Sequence, residues 1–282
     1  MKFITYMYKG KQEVGVYTES GIIRLEEYTD MVDCISNIKK EDFKEISERK
    51  ASLGESEIEI LAPIRRPIHD IICVGKNYMD HILEFEDESD VDLEDFKLNY
   101  FSKRASNILG DKEEVEARFD LDDNVDYESE LAIIIGREAK NIKREDVYEY
   151  IFGFSIFNDL SSRRIQIDHV QWFLGKSLDN YSILGPWIVT KDEFKFPLEL
   201  DIGSQVNEEK RQDSNTKYMI KSIEDIMVEL SSCMTLEPGD IISTGTPAGV
   251  GKGFNPPRYL KHGDTVKCTI EGIGSLESKI IL

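Results

Sequence analysis

Short apolar runs recur along the chain, and most of them have the length and residue types of β-strands. Near the N-terminus, Lys-Gly and Ser-Gly pairs, which favour tight turns, separate three such runs. From residue 126 onward, six further runs are rich in β-branched and aromatic residues. We therefore predict strands at residues 2–8, 12–18, 21–25, 69–75, 129–136, 150–159, 185–190, 198–207, 240–245 and 264–274.

Helical periodicity is confined to a few segments. Residues 30–38 and 41–52 carry short patterns, whereas residues 222–234 carry a clear one with Ser222 as N-cap. Asp225 stands at the third helical position, so this N-terminus resembles a capping box with Asp in place of Glu. Because strands do not alternate regularly with helices, the pattern disfavours a Rossmann sheet.

Composition and charge narrow the range of partners. Of the 282 residues, 40% are hydrophobic, which is enough for a substantial core. The 55 acidic residues outnumber the 35 basic ones and give a net charge of -20, which repels nucleic acid and anionic membranes. We expect neither as a partner, and an acidic substrate would need local cations or a metal.

The cysteines and the apolar runs indicate the compartment. The four cysteines are widely spaced and include no CxxC pair, so we expect neither disulfides nor a zinc cluster. The apolar run at the N-terminus is too short for a signal peptide, and no run of about 18 apolar residues occurs. We therefore expect a soluble cytoplasmic protein.

Two carboxylates precede a predicted buried strand. Glu128 and Glu130 would project from the same face of a strand, roughly 6.5–7 Å apart at Cα. Two anions near a core repel each other unless a cation lies between them, and a hard divalent cation is the simplest candidate. On this spacing alone, a solvated strand end is the more common interpretation. A calcium-binding loop is excluded, because Val125 and Leu131 stand where that loop needs Gly and Glu.

A third acid, Asp159, ends the predicted strand over residues 150–159. It is either the N-cap of a following helix or a third metal ligand from a neighbouring strand. Arg163 and Gln166 follow at helical spacing, and Lys176 comes ten residues later. With a metal, these side chains would form a site for a carboxylate beside a carbonyl.

The glycine-rich segment STGTPAGVG, residues 243–251, has two interpretations. It does not fit the Walker pattern, since Gly253 follows Lys252, and it lacks the dinucleotide pattern GxGxxG. It is either a plain tight turn or a cradle of backbone amides and hydroxyls for an anion, with Thr246 as a donor.

Five blocks of the chain together resemble the fumarylacetoacetate hydrolase family. They run in family order over roughly residues 70–280: IICVGKNYMDHILE, VDYESELAIIIGREAKNI, GFSIFNDLSSRRIQ, GKSLDNYSILGPWIVT and LEPGDIISTGTPAGVG. The resemblance implies an α+β, β-rich fold, a mixed β-roll with few helices, assembled as a homodimer. Residues 66–282 would form this catalytic domain, and residues 1–65 a small N-terminal β/α module.

The resemblance also implies roles for individual residues. Glu128, Glu130 and Asp159 would bind Mg²⁺ or Mn²⁺, for which Ca²⁺ could substitute. Four residues would contact the substrate, namely Arg163, Gln166, Lys176 and Thr246, the last of them through the substrate carboxylate.

A lid over about residues 78–100 would complete the site. His81 and Glu84 match the family's His-x-x-Glu pair, in which Glu84 would orient His81 as a general base, and Lys176 would join them in catalysis. Two departures leave the substrate open: Arg164 stands where relatives usually carry Asp, and Lys76 where they often carry Arg.

The implied chemistry is that of a 2-oxo acid. A metal that chelates the 2-oxo oxygen and one carboxylate oxygen of a pyruvoyl group would stabilise the enolate formed when a bond at C3 breaks. Acylpyruvate C–C hydrolysis or oxaloacetate decarboxylation is the first expectation. An isomerase of the 2-hydroxyhepta-2,4-diene-1,7-dioate type is the alternative among enzymes. A metal-dependent small-acid binding protein without turnover is the alternative outside them.

Overall fold

A computed structural model describes residues 1–87, 89, 91 and 96–282, and its fold is the expected β-rich α+β fold. Within these residues, ten strands form one mixed sheet, five form a second, and two short strands pair apart from both. The main sheet contains β1 (Lys2–Tyr8), β2 (Lys11–Thr18), β3 (Gly21–Arg24), β4 (Glu59–Leu61), β5 (Ile71–Gly75), β6 (Asn99–Lys103), β9 (Ser129–Ile135), β10 (Ile151–Asp159), β12 (Ser182–Thr190) and β15 (Ile241–Ser243). The second sheet contains β7 (Glu114–Glu116), β13 (Asp201–Val206), β14 (Glu209–Asn215), β16 (Thr265–Ile270) and β17 (Gly274–Ile281), and the separate pair is β8 (Val125–Asp126) with β11 (Ser161–Ser162).

Strands β9 and β10 lie side by side in the middle of the main sheet, and every residue of both is buried. Alternate side chains of β9 enter opposite cores. Leu131 and Ile133 pack in one hydrophobic cluster, whereas Ala132 and Ile134 pack in another. Coverage of both faces explains the continuous apolar run that predicted this strand.

The N-terminal segment extends the main sheet. Strand β1 pairs antiparallel with β12, and β2 and β3 continue outward from β1. Helices α1 (Met31–Asn37) and α2 (Lys40–Glu48) contribute Ile35 and Ile46 to the cluster that contains Ile134 of β9. The strands and helices predicted here are therefore present. The division of the chain at residue 65 stays a prediction, since one hydrophobic cluster joins residues on both sides of it.

Helix α7 (Ile223–Cys233) is the longest described helix, and its N-terminus is the predicted capping box. Ser222 Oγ accepts a hydrogen bond from Asp225 N, and Asp225 Oδ2 accepts one from Ser222 N at 3.0 Å. Among the described residues, none of the helices is long and apolar enough to cross a membrane. The other α-helices of the catalytic region are α3 (Met79–Ile82), α4 (Val147–Tyr150), α5 (Arg163–Asp168) and α6 (Phe173–Lys176).

The predicted lid over residues 78–100 begins with α3, which has no side-chain hydrogen bond at its N-cap, Tyr78. Residues 88, 90 and 92–95 of the predicted lid lie outside the described residues. Strand β12 begins before the predicted residue 185, because Ser182 pairs with Asp159 at the end of β10. This longer pairing matters for the site, since it holds the end of β10 in the sheet.

Candidate metal and substrate site

Three carboxylates converge at one end of the central strands. Glu130 lies on β9 and Glu128 directly precedes that strand, and Glu128 O accepts a hydrogen bond from Asp159 N at 2.9 Å. One ligand oxygen of each carboxylate lies within 4.8 Å of the others, and all three residues are buried. The same-face spacing of the two glutamates therefore brings them together. Asp159 joins them from β10 and is not a helix N-cap, because Ser162 holds that position before α5.

Two buried lysines neutralise part of this charge. Lys176 Nζ donates to Glu128 Oε2 at 2.5 Å and to Asp159 Oδ2 at 2.7 Å. Lys103, the last residue of β6, donates to Asp159 Oδ1 and to the carbonyl of Leu160 at 2.9 Å. The sequence holds no local signal for Lys103, because its carboxylate partner lies 56 residues away along the chain.

The two glutamates differ in their electrostatic surroundings. Burial alone raises the pKa of Glu128, but attraction to Lys176 and Arg163 brings that pKa down to about 2. For Glu130, burial and repulsion from Asp159 and Glu128 hold the pKa well above its ordinary value. No lysine or arginine among the described residues forms an ion pair with Glu130, so this carboxylate lacks the counter-charge that Glu128 has.

This donor set fits a hard divalent cation. Every ligand atom is a carboxylate oxygen, which is the donor that Mg²⁺ and Mn²⁺ prefer. A divalent cation would also give the Glu130 carboxylate the cationic partner that it lacks among the described residues. The residues present are therefore suited to the metal that the resemblance implies.

Helix α5 carries Arg163 and Gln166 to the site. Arg163 Nε donates to Asp126 Oδ2 at 2.8 Å, and Nη1 donates to Gln166 Oε1 at 3.0 Å. Nη2 lies 2.7 Å from Glu128 Oε1, but the angle does not make a hydrogen bond, and this buried nitrogen has no hydrogen-bond partner among the described residues. The Nη2 donor is therefore available to an oxygen of a ligand.

A buried aspartate for which the sequence analysis proposed no role, Asp122, fixes the start of α5. Its Oδ2 accepts from Ser162 Oγ at 2.5 Å and from Arg164 N at 2.8 Å. The Arg164 guanidinium, at the position where the family usually has Asp, lies 3.7 Å from Asp122 Oδ1 and is half exposed. The acidic segment DLDDNVDYESEL, which was considered as a calcium loop, thus contains Asp122, the residue that fixes the start of the helix carrying Arg163.

The glycine-rich loop does bind anions, but those within the described residues are carboxylates of the chain itself. Its donors reach three separate elements: Ser243 Oγ and Gly245 N donate to Glu130 Oε2 at 2.5 and 3.0 Å, Gly249 N donates to Glu84 Oε1 at 2.8 Å, and Gly251 N donates to Asp126 Oδ1 at 2.6 Å. Gly249 has φ of +104°, and a Cβ there would lie 2.0 Å from Arg211 O, so the turn requires glycine. The loop therefore holds together Glu130 of the metal site, Glu84 of the lid and Asp126, which accepts the hydrogen bond from Arg163 Nε.

The predicted His81–Glu84 pair is present, with Nδ1 of His81 2.7 Å from Oε2 of Glu84. Helix α3 ends at Ile82, so the pair spans the end of that helix and the turn that follows. A carboxylate partner at Nδ1 keeps the proton on that nitrogen and leaves Nε2 as an acceptor. His81 is 9% exposed and lines the same cavity as the metal-site glutamates.

A cavity of about 400 Å³ opens beside these groups. Its volume suits a small molecule. Asp159 and Glu84 do not line it, but each is bonded to a residue that does, Lys176 and His81 respectively. The lining combines polar groups with an apolar wall: Glu128, Glu130, Arg163, Gln166, Lys176, Thr246, Lys252, Val74, Ile82, Phe85, Phe101 and Trp172.

Thr246 differs from the expectation in its hydrogen bonding. Its hydroxyl donates to Ser129 O at 3.0 Å and accepts from Gln212 Nε2 at 2.7 Å. The hydroxyl proton is thus already directed at the protein. A contact between Thr246 and a substrate carboxylate stays a prediction, and in this arrangement it would use another group of that residue.

Comparison with known proteins places the chain in a family. Residues 70–281 match the family described as fumarylacetoacetate (FAA) hydrolase C-terminal. Oxaloacetate tautomerase YisK of Bacillus subtilis (strain 168) is 42% identical over 225 residues, which cover 80% of this chain and 74% of that protein. Fumarylacetoacetate hydrolase (EaFAH) from Exiguobacterium antarcticum has a TM-score of 0.84 at 36% identity, over 100% of this chain and 99% of the other. Maleylpyruvate hydrolase from Sphingobium sp. SYK-6, in complex with manganese(II) ion and pyruvate, has a TM-score of 0.81 at 25% identity over the same shares.

Proposed function

This chain belongs to the fumarylacetoacetate hydrolase family, and we propose that it is a divalent-metal-dependent enzyme acting on a 2-oxo acid. The observation that carries this proposal is the convergence of Glu128, Glu130 and Asp159, whose ligand oxygens lie within 4.8 Å of one another in a buried site. These three residues would bind Mg²⁺ or Mn²⁺. The related maleylpyruvate hydrolase holds manganese and pyruvate, which supports both the metal and the class of ligand.

The charges of the site suit an enolate. A bound divalent ion would supply Lewis-acid charge where the enolate oxygen develops. Lys176 and Arg163 add fixed positive charge, and both are buried, so water screens them little. In this proposal Nη2 of Arg163, which is ion-paired with Glu128, donates to a carboxylate oxygen of the substrate, while Gln166 orients the guanidinium through Nη1.

His81 is the proton-transfer group. Glu84 holds Nδ1 at 2.7 Å, so Nε2 is the nitrogen that accepts a proton. Ile82, between the two residues of this pair, and Phe85, directly after Glu84, line the cavity and would limit the entry of water when substrate is bound. Lid residues therefore supply both the base and part of the apolar wall.

Acylpyruvate C–C hydrolysis or oxaloacetate decarboxylation is the reaction that we propose first. In hydrolysis, His81 Nε2 takes a proton from water as the water oxygen attacks the acyl carbon, and the electrons of the broken C–C bond pass to C3 of the pyruvate enolate. The second candidate is proton transfer at C3, as in an isomerase, and the similarity to an oxaloacetate tautomerase favours it. A binding protein without turnover is disfavoured, because the His81–Glu84 pair is in place.

The test is an assay of the purified protein with oxaloacetate and with acetylpyruvate, after EDTA treatment and after addition of Mg²⁺. We expect metal-dependent turnover and competitive inhibition by oxalate, which mimics the planar chelating end of a pyruvate enolate. Pyruvate from oxaloacetate identifies decarboxylation, acetate from acetylpyruvate identifies hydrolysis, and enol–keto conversion alone identifies proton transfer. Full activity after EDTA treatment, or no binding of oxalate to Mg²⁺-loaded protein, would contradict the proposal.

We further propose a homodimer, as the resemblance implies, in the cytoplasm, as the spacing of the cysteines and the short apolar runs indicate. Light scattering on the purified protein would test the assembly, with the mass of two chains as the expected result. The mass of a single chain would contradict it.

A further inference from the structure

The cavity lining contains two lysines that the proposed chemistry does not use, Lys76 and Lys252. Lys252 follows the glycine-rich loop in the 3-10 turn Gly251–Gly253. Its backbone N donates to Asp126 Oδ2 at 3.0 Å, and the same oxygen accepts from Arg163 Nε at 2.8 Å. One buried aspartate therefore positions both the backbone of Lys252 and the guanidinium that would hold the substrate.

Lys252 differs from the other cations of the cavity in its partners. Each of the other lysines and arginines of the lining is paired with a carboxylate: Lys176 with Glu128 and Asp159, Arg163 with Asp126 and Glu128, and Lys76 with Glu86. Lys252 Nζ lies over the ring of Phe85, 4.7 Å from the ring centroid. No carboxylate of the described residues forms an ion pair with it.

The surroundings of Lys252 favour an incoming anion. Burial lowers the pKa of this lysine and repulsion from Arg163 lowers it further, while attraction to Asp126 and Glu128 offsets only part of this lowering. An anion that enters the cavity would stabilise the Lys252 ammonium, because it replaces the hydrating water that the ammonium has lost and offsets the repulsion between Lys252 and Arg163. The net charge of -20 repels an acidic substrate, so a cation at the cavity would also help the enzyme to attract that substrate from solution.

We propose that Lys252 binds a second carboxylate of the substrate, so that the enzyme prefers dicarboxylic 2-oxo acids to monocarboxylic ones. This inference rests on the proposed function, in which the metal and Arg163 hold the first carboxylate. Asp126 holds the guanidinium of Arg163 and the backbone of Lys252, so the two cations start from neighbouring points of the site. The site can therefore select substrates by the distance between their two carboxylates. Phe85 holds the ammonium of Lys252 by a cation–π contact, with 4.7 Å from Nζ to the ring centroid, and this contact leaves the N–H donors for the ligand.

The test compares Lys252→Met with the parent enzyme on oxaloacetate, which has two carboxylates, and on acetylpyruvate, which has one. We expect KM for oxaloacetate to rise about 10- to 100-fold, as for loss of one charge-assisted hydrogen bond, with KM for acetylpyruvate unchanged. Lys252→Arg should restore most of the affinity. Lys261→Met, which removes the same charge from an exposed position, should change neither KM.

Oxalate binding provides a readout that does not depend on turnover. Oxalate has only the chelating end, so its Kd for the Mg²⁺-loaded protein, measured by calorimetry, should be the same in Lys252→Met and the parent. Equal changes in KM for both substrates, or no change for either, would overturn the role of Lys252 while the parent enzyme still binds oxalate. A parent enzyme that neither binds oxalate nor turns over either acid would overturn the proposed function, and this inference with it.

Discussion

The floor of the cavity and its rim are built in different ways. The floor consists of Glu128, Glu130 and Lys176, which line the cavity, and of Asp159 and Lys103, which lie behind them. These residues lie on or beside the ends of sheet strands or in a short helix. In the ion pairs of the floor, no side chain is more than 6% exposed. Water therefore cannot compensate a charge that loses its partner there, and we expect folding and catalysis to depend on the same contacts.

The rim consists of His81, Glu84, Phe85 and Lys252, on a four-residue helix, the turn after it and a glycine-rich loop. Its side chains are more exposed, with 11% for His81 and 13% for Glu84. Backbone amides hold the rim, as where Gly249 N donates to Glu84. The comparison indicates that the floor supplies fixed charge, and that substitutions there destabilise the fold. Substitutions in the rim should alter turnover or specificity alone.

The largest effect should follow from Lys176→Met. This change removes the ammonium between Glu128 and Asp159, so we expect about 3–5 kcal/mol less stability toward urea. We also expect kcat to fall by about 10²–10³-fold, as for loss of one group that stabilises developing charge. Mn²⁺ should still bind, because all three carboxylates remain. Lys191→Met, half-buried and outside the cavity lining, is the matched control. Equal stability losses in the two variants would show that the loss does not depend on the contacts of the floor.

A rim change of comparable catalytic size is His81→Ala. Removal of the base should lower kcat by about 10²–10⁴-fold, while Mn²⁺ affinity and the urea midpoint stay near those of the parent. Steady-state kinetics and urea titration measure the two halves of this prediction. His69→Ala, at an exposed histidine that pairs with the buried Asp240, should leave kcat unchanged. An unchanged turnover number in His81→Ala would remove His81 from the mechanism.

The smallest expected effect is the loss of stability in Asp122→Asn, and this loss should depend on pH. Burial alone raises the pKa of Asp122, but hydrogen bonds from Ser162 and the start of α5 lower it below its ordinary value. Because the folded pKa is depressed, the stability that this group contributes is present above about pH 4 and is lost as pH falls through the folded pKa. Asp122→Asn should therefore cost about 1–3 kcal/mol at pH 7, and the gap should narrow below about pH 4. A gap that stays the same from pH 7 to pH 3 would contradict this role.

What could be predicted from the sequence depended on local pattern. Strands β9 and β10 were predictable because their apolar runs are continuous, and α7 because Ser222 and Asp225 form a capping box. The spacing of Glu128 and Glu130 likewise predicts a shared face. By itself, however, it did not separate a metal site from a solvated strand end, and the motif resemblance was needed for that step.

Residues that act across long separations could not be predicted in this way. Lys103 meets Asp159, and Asp126 joins Arg163 to Gly251, only once the sheet has formed. For the glycine-rich loop the sequence left a tight turn and an anion cradle as alternatives, and it does not show that the anions are the chain's own carboxylates. Side-chain partners of this kind follow from topology, which local periodicity does not determine.

The central claim is that the buried carboxylates form one divalent-metal site. Calorimetric titration of EDTA-treated protein with Mn²⁺ tests it directly, with Glu130→Gln as the variant and Glu149→Gln, at an exposed surface position, as the control. We predict one site per chain in the parent and the control, a higher Tm on metal binding, and neither signal in Glu130→Gln. Equal Mn²⁺ binding by Glu130→Gln and the parent would contradict the account.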